Sequence, residues 1–558
     1  MSVRKQSTGA ISPLEAFVFA VALSVALLIV LVPVLPGEAP LHAGDAAFTT
    51  FRIGSEVVVS QGEVVTEADV VRIRQAGLLD NELGFADVVA ASIVAIVSGA
   101  LLGLYLYLFQ PGQVNSVRRL FLVGLLIVLW VAAAKVFLSL TLPDEDRLYL
   151  GYILPVAAAP MLIATLLDGG LGLVVAGLLA VLAAFAGFYM PDARSGASAG
   201  SLDSLQMVVA YLLASVTGVF ALRRAERVNH YVMAGVSVGL VTFAILFSFW
   251  LLSSHRDGVD LVWMLAASAL GGVGSAVIAV GATVILGAMF GVTTRMQLME
   301  LAQLSHPLLR ELQEKAPGTF HHSVIVGNLA ERAADLIGAD PLLVRVGCYF
   351  HDIGKIARPG YYIENQMESE NPHDKLQAAA SAKLVAEHVR AGLELAARHR
   401  VPATVRAFIP EHHGTRLVTY FYRKASALDP TVDPEKFRYP GPKPQSRETA
   451  MVMLADSVEA VVRASKDRSH EKIDSLVDSI VAERVAEGQL DECDLTMRDL
   501  KTIAESFKYT LRGIYHPRIE YPAATAAELT GAQSPGVAYL KPPANPPANP
   551  LEAPPLER

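Results

Sequence analysis

The 558-residue chain is short of charge and nearly free of cysteine. Only 18% of its residues are charged, against roughly a quarter in ordinary soluble domains, and 53% are hydrophobic. With a mean hydropathy of +0.41, much of the chain must lie in a bilayer. The shortage is uneven. The first half holds long runs almost without charge, and charged residues return at globular density from about Thr293. One membrane half followed by one soluble half is the simplest division. The only two cysteines, Cys348 and Cys493, exclude a disulfide framework, and Cys348 lies in an apolar run where a buried, reduced thiol is expected. This usage fits a soluble half facing the cytosol. Net positive charge is missing as well: the formal net charge of −8 argues against binding long nucleic acids through a basic surface, but leaves room for a small anion gripped by metal ions.

Residues 1–36 read as a short tail with Arg4 and Lys5 followed by a signal-anchor helix, since no small-residue cleavage site closes the apolar run. Residues 37–84 read as a short extracytoplasmic segment, with a β-prone run at Val57-Val58-Val59 and a capped helix starting near Thr66. It is too short for a large core of its own. Seven further runs of spanning length fall within residues 85–292, at about 85–109, 120–140, 148–167, 171–190, 205–222, 231–252 and 261–290. Alternating from a cytosolic N-terminus, Arg118-Arg119, Arg223-Arg224-Arg227 and Arg295 all fall on one side, which places the C-terminal half in the cytosol. Lys135 is the main ionisable residue inside a run, and its position near the outer end suggests snorkelling to the headgroups. No chain of buried carboxylates and no broken, inverted helix suggests a transporter.

The connector, residues 293–315, carries Leu298, Leu301, Leu304, Leu308 and Leu312 at spacings of three and four, as expected of a helix continuing from the last span and re-started near Pro307. The segment 523–558 is rich in Ala and Pro and reads as a disordered tail.

Between them, in residues 316–522, histidines become dense. His322 opens a segment whose Val326, Leu329, Ala333, Leu336 and Ile337 recur at helical spacing. His351 and Asp352 lie in Phe-His-Asp-Ile-Gly-Lys; in a helix, Lys355 projects from their face toward any anion a metal holds there. His388 continues the stripe of Leu376, Ala380 and Leu384, His412 that of Val405, Phe408 and Ile409 with His413 beside it, and Asp456 shares a face with Met453 and Ala460. Burying so many ionisable groups without partners costs several kcal/mol each. Divalent cations remove the conflict by binding neutral imidazoles and ionised carboxylates. Five imidazoles and two carboxylates are too many for one ion, so two are expected, with Asp352 central enough to bridge them.

The pattern His322, His351-Asp352, Asp456 resembles the HD superfamily of phosphohydrolases, and the added His388 and His412-His413 resemble its two-metal branch. Closer still is the wording of Ala316-Pro317-Gly318-Thr319-Phe320-His321-His322-Ser323, Ile363-Glu364-Asn365-Gln366, Asn371-Pro372-His373-Asp374-Lys375, Glu411-His412-His413-Gly414-Thr415 and Tyr439-Pro440-Gly441-Pro442-Lys443-Pro444. These resemble the membrane-bound seven-transmembrane HD proteins that hydrolyse cyclic di-AMP. The resemblance implies an all-α chain, a polytopic helical membrane domain followed by a cytosolic all-α HD domain. It implies one iron or manganese ion on His322, His351, Asp352 and Asp456, and a second on Asp352, His388, His412 and His413. Asp352 and Lys355 are then the catalytic pair. The expected reaction is cleavage of cyclic di-AMP to the linear dinucleotide by an activated hydroxide, with Tyr361, Tyr362, Asn365 and His373 as substrate contacts. The expected partners are that cyclic dinucleotide and the lipid bilayer, with a homodimer left open. One departure is plain: the family often carries a large external domain after its first helix, and residues 37–84 are short. The alternatives are hydrolysis of cyclic di-GMP or another nucleotide, and a non-catalytic nucleotide-binding membrane receptor. Against cyclic di-GMP, Gly414-Thr415-Arg416 follows the paired histidines where the cyclic di-GMP branch has Gly-Tyr-Pro.

Overall fold

Helix α1 (Pro13–Leu31) begins where Ser12 accepts a hydrogen bond from the Glu15 amide and Pro13 pre-sets the first helical φ. It opens a computed structural model that describes residues 11–33, 42–47, 51–53, 56–60, 62–75, 83–109, 114, 116–141, 145–188, 201–223, 225–253, 256–366 and 371–515. The chain is all-α but for one antiparallel pair among the described residues, β1 (Phe51–Ile53) with β2 (Glu56–Val59). Together with α2 (Glu67–Gln75), which Thr66 caps as its sequence suggests, this pair closes a small core of Ala47, Phe51, Val59, Val65 and Ile73. The tail from residue 523 lies outside the described residues.

The membrane half contains α3 (Phe85–Phe109), α4 (Val117–Thr141), α5 (Ala158–Leu166), α6 (Gly169–Phe188), α7 (Ser201–Ala221), α8 (Val228–Leu252) and α9 (Gly258–Phe290). Among the described residues, eight segments are long and apolar enough to cross a bilayer, α1 and seven more. Small residues let them approach. A Cβ at Gly103 would lie 2.8 Å from the Ala20 Cβ of α1, and one at Gly235 of α8 would lie 2.8 Å from the Gly272 carbonyl oxygen of α9. Without a hydrophobic drive between helices in lipid, such backbone proximity is what holds them together.

Three expectations change here. The run near 148–167 is not one α-helix: a 3₁₀ turn (Glu145–Ile153) gives way at Pro155, which has no N–H, before α5 begins. Its backbone is accommodated inside the bundle, where the Tyr211 hydroxyl donates to the Gly151 carbonyl at 2.7 Å. A broken helix is therefore present after all. Second, Lys135 does not snorkel. It is buried, and its Nζ donates to the Leu31 carbonyl at 2.5 Å and to the Pro33 carbonyl, so the cation caps the C-terminal end of α1. Third, the connector does not continue α9. Gly291 takes a left-handed φ of 65° that ends the helix, and Thr294 caps a new one, α10 (Arg295–Leu301). Helix α11 (Pro307–Lys315) follows; Leu298, Leu301, Leu308 and Leu312 are buried, but Leu304 falls between the two helices and is exposed.

Arg295 joins the halves. Its guanidinium lies 3.1 Å from Glu226, in the turn between α7 and α8, and 3.7 Å from Asp340 of the soluble half. There, α12 (Pro317–Ile337), α13 (Pro341–Phe350), α14 (Ala378–Arg398), α15 (Ala403–Arg406), α16 (Phe408–Glu411), α17 (Thr419–Ser426), α18 (Arg447–Ala464), α19 (His470–Ala486) and α20 (Met497–Ile514) pack around two apolar cores and a small third cluster, in which Phe421 of α17 meets Ala382 and Phe437. Of the stripe after His322, Leu336 is exposed and the other positions pack inward.

A leucine at position 272 has no room against α8, whereas Gly281 of the same helix faces open space. Gly272→Leu is expected to cost about 1–3 kcal/mol and to lower the melting temperature of the detergent-purified chain, with Gly281→Leu unchanged. Equal melting temperatures for the two would reject this packing.

Candidate metal centre

Each imidazole is aimed by its own helix. His351 ends α13, and its Nδ1 lies 2.6 Å from the Cys348 carbonyl. His388 in α14 lies 2.6 Å from the Val385 carbonyl through Nδ1, and His412, just after α16, lies 2.9 Å from that of Phe408. A carbonyl only accepts, so all three Nδ1 atoms carry the proton and all three Nε2 lone pairs point away from their helices. They point at Asp352: His351 Nε2 is 3.2 Å from its Oδ2, and His388 and His412 Nε2 are 3.4 and 3.7 Å from its Oδ1. His322, in the second turn of α12, faces Asp456 of α18 at 3.0 Å through Nε2 and Asp352 at 3.9 Å.

Two sets of ligand atoms result, each within 4.8 Å: Asp352, His388, His412 and His413, and His322, His351 and Asp456. Nε2 of His351, His388 and His412, Nδ1 of His413 and Oδ1 of Asp352 are buried with no hydrogen-bond partner. Five converging orphans cost far more than a folded domain tolerates unless something binds them. Neutral imidazoles and ionised carboxylates fit a divalent cation, and the seven residues expected to hold two ions are brought together.

The electrostatics prepare the same state. Burial alone would raise the Asp352 carboxyl, but the Lys355 ammonium and His351 hold it well below the usual range. Burial, with His351 next, pushes His412 down to about 3, and burial with His412 pushes His413 well below its ordinary value. His322 is opposite: burial is outweighed by Asp456 and Glu459, which raise it to about 9.

The stretch around Asp352 is not the single helix expected. His351 closes α13, Asp352 turns, and a 3₁₀ helix (Ile353–Ala357) carries Lys355 back, with its Nζ 2.7 Å from Asp352 Oδ2 and 2.7 Å from Glu364 Oε1. The lysine shares the face of the pair as anticipated, but it is held between two carboxylates rather than standing open to an anion.

Of the expected substrate contacts, Tyr362 is buried with its ring 5.1 Å from Lys355 Nζ and 5.9 Å from the His388 ring. Asn365 is engaged twice with Thr319, accepting from its amide at 3.1 Å and donating to its hydroxyl at 2.8 Å. His373 is buried between Tyr361 and Phe421, its Nε2 2.9 Å from the Tyr361 carbonyl. Tyr361 is partly exposed.

Two residues escaped the sequence reading. Glu459, fully buried, places Oε2 2.5 Å from His322 Nδ1. It stands three residues after Asp456, one turn along the same face, and that spacing was the available signal. Glu364 sits inside a motif noticed only for its neighbours.

Comparison with known proteins finds relatives for both halves. Residues 85–294 match the family described as a 7TM receptor with intracellular HD hydrolase, and residues 319–461 match the HD domain. The chain is 35% identical over 468 residues to a Listeria monocytogenes protein named cyclic-di-AMP phosphodiesterase PgpH, and 33% identical over 486 residues to the Bacillus subtilis protein of that name. Each alignment covers 84% of this chain but only 63% and 66% of the relative, so the chain spans about two thirds of their length. The crystal structure of the L. monocytogenes PgpH HD domain in complex with cyclic-di-AMP is 47% identical, covering 39% of this chain and all of its own, with a TM-score of 0.37. A membrane region that matches the first family is thus followed in order by an HD domain carrying the whole histidine and aspartate set, the layout of the membrane-bound seven-transmembrane HD proteins.

Proposed function

We propose that the chain is a membrane-anchored, metal-dependent phosphodiesterase that cleaves cyclic di-AMP to linear pApA. The observation that carries this reading is the convergence of five unpartnered buried ligand atoms on Asp352, in a chain whose relatives bear the name of that activity. His322, His351, Asp352 and Asp456 would hold one ion, and Asp352, His388, His412 and His413 the other. Iron or manganese suits such nitrogen-and-oxygen sets. When bound, two such ions supply an activated water and neutralise phosphoryl charge.

The chain's own residues do the remainder. Asp352 stays ionised and offers one oxygen to each set. Lys355 and Glu364 brace it, the ammonium balancing one oxygen of Asp352 and the Glu364 carboxylate. Glu459 holds the His322 ring and raises its basicity. Of the expected substrate contacts Tyr361, Tyr362, Asn365 and His373, Tyr362 is the one whose ring meets both Lys355 and His388. The arginines flanking the spans support a cytosolic position for this domain, where a soluble nucleotide would reach it.

Asp352→Ala is expected to strip metal from the purified full chain and to lower turnover of cyclic di-AMP by about 10³-fold or more, the several kcal/mol that bound ions supply. Normal metal content with normal turnover would refute the site. Rates for cyclic di-AMP and cyclic di-GMP, each with iron and with manganese, test the substrate; faster cleavage of cyclic di-GMP would overturn it. Glu459→Gln leaves the ligands intact and removes only the brace, so metal affinity is expected to weaken about 10–100-fold, with turnover restored at saturating manganese. Unchanged affinity by competition with a chelator would show that the Glu459–His322 contact does not tune the ion.

A further inference from the structure

The stretch Tyr439-Pro440-Gly441-Pro442-Lys443-Pro444 has no part in the site as described so far, yet it leads into it. The Tyr439 ring stacks on His413 at 4.0 Å and 22°, and meets the edge of His388 at 6.2 Å. Its place is set by backbone: the Tyr439 amide donates to the Arg416 carbonyl at 2.9 Å, the Val418 amide to the Phe437 carbonyl at 2.8 Å, and Leu417 forms a bridge with Arg438. This short antiparallel contact fastens the segment that follows the paired histidines to the segment that carries the tyrosine. Tyr439 and Arg416 are thereby adjacent at the rim.

The Tyr439 ring lies against His413 of one ligand set, and Ser457, which Arg416 reaches, directly follows Asp456 of the other. The residue is only part-buried, and among the described residues its hydroxyl makes no hydrogen bond. The Arg416 guanidinium is anchored from behind, donating to Ser457 Oγ at 3.3 Å and lying 3.5 Å from Glu487, while Asp456 and Tyr439 are near enough to act on it. A second guanidinium, Arg484, approaches the same serine hydroxyl at 3.4 Å. Two cations at one hydroxyl, screened mainly by Glu487 and Glu483, leave this wall ready to accept an anion.

We propose that Tyr439 and Arg416 form a donor rim for the phosphodiester: the Tyr439 hydroxyl donates a hydrogen bond to a non-bridging phosphoryl oxygen, and the Arg416 guanidinium pairs with the same group. This deepens the phosphodiesterase reading and rests on it for the identity of the substrate, though not for the binding of phosphate. Tyr439 is then a substrate-contacting residue, and Ser457 and Glu487 position its neighbour.

The test uses the full chain loaded with manganese. Tyr439→Phe keeps the ring on His413 and removes only the donor. It is expected to weaken binding of inorganic phosphate, measured by calorimetry, and kcat/KM for cyclic di-AMP by about 10-fold each, a charge-assisted hydrogen bond's worth, with metal stoichiometry and melting temperature unchanged. Arg416→Gln is expected to weaken phosphate binding by a similar factor. Phosphate affinity and turnover of Tyr439→Phe within twofold of the parent would overturn the proposal. So would a loss of metal or of melting temperature in that variant, which would make the tyrosine a packing residue. If the parent binds phosphate in a Tyr439-dependent way but cleaves no cyclic dinucleotide, the rim stands and the substrate assignment falls.

Discussion

The structure turns on one electrostatic problem: a fully buried aspartate, Asp352, ringed by imidazole lone pairs that have no proton to share with it. Three of the rings spend their Nδ1 protons on carbonyls of their own helices, so they cannot donate to Asp352 through Nε2. Only an external cation resolves that arrangement, and the fold keeps it ready at the cost of unsatisfied polar groups that a core domain normally avoids. Lys355 does not resolve it. Its ammonium balances one oxygen of Asp352 and the Glu364 carboxylate, leaving the other oxygen, Oδ1, facing His388 and His412.

Helix ends do most of the positioning. His351 closes α13, His412 follows α16, and His322 sits in the second turn of α12, places where the chain changes direction and several helices can converge. Helix α13 matters twice. Its N-terminal cap, Asp340, bonds the amides of Leu342 and Leu343 and is also the residue that Arg295 approaches, while Arg295 reaches Glu226 in the membrane half. Ten residues of helix therefore separate the junction between the two halves from His351. The break at Gly291 gives this junction its own geometry, independent of any rigid extension of α9.

Much of this was legible in the sequence, for identifiable reasons. Hydropathy marks the spans because lipid offers backbone groups no partner, so every spanning run must be both apolar and long. The convergence of these side chains was legible because a histidine at the end of an apolar stripe conflicts with burial, and five such conflicts together have few solutions. What stayed hidden depends on neighbours distant in sequence. Lys135 was assigned to the headgroups from its place along one helix, yet its partners are Leu31 and Pro33, more than a hundred residues away. Leu304 fitted a helical stripe, but Ala302 and Gln303 leave the helix first. Glu459 carried the spacing of a partner to Asp456, but nothing local shows that His322 reaches back to it.

The two halves also differ in how they treat buried polarity, and this difference separates structural from chemical groups. In the membrane half, Lys135 finishes a helix and Tyr211 covers the carbonyl exposed by the break before Pro155. Both end on backbone atoms that the bilayer could not satisfy. Where a group lacks a partner in that half, as at Trp130 Nε1 or Ser268 Oγ, it stands alone on its helix. Around Asp352 the unsatisfied atoms come from separate segments and share one point. A lone orphan is a local cost that packing can absorb; five orphans aimed at a common centre cannot arise from packing, because every one of them would be cheaper turned away. Their convergence is the physical argument that the soluble half is organised around something it binds.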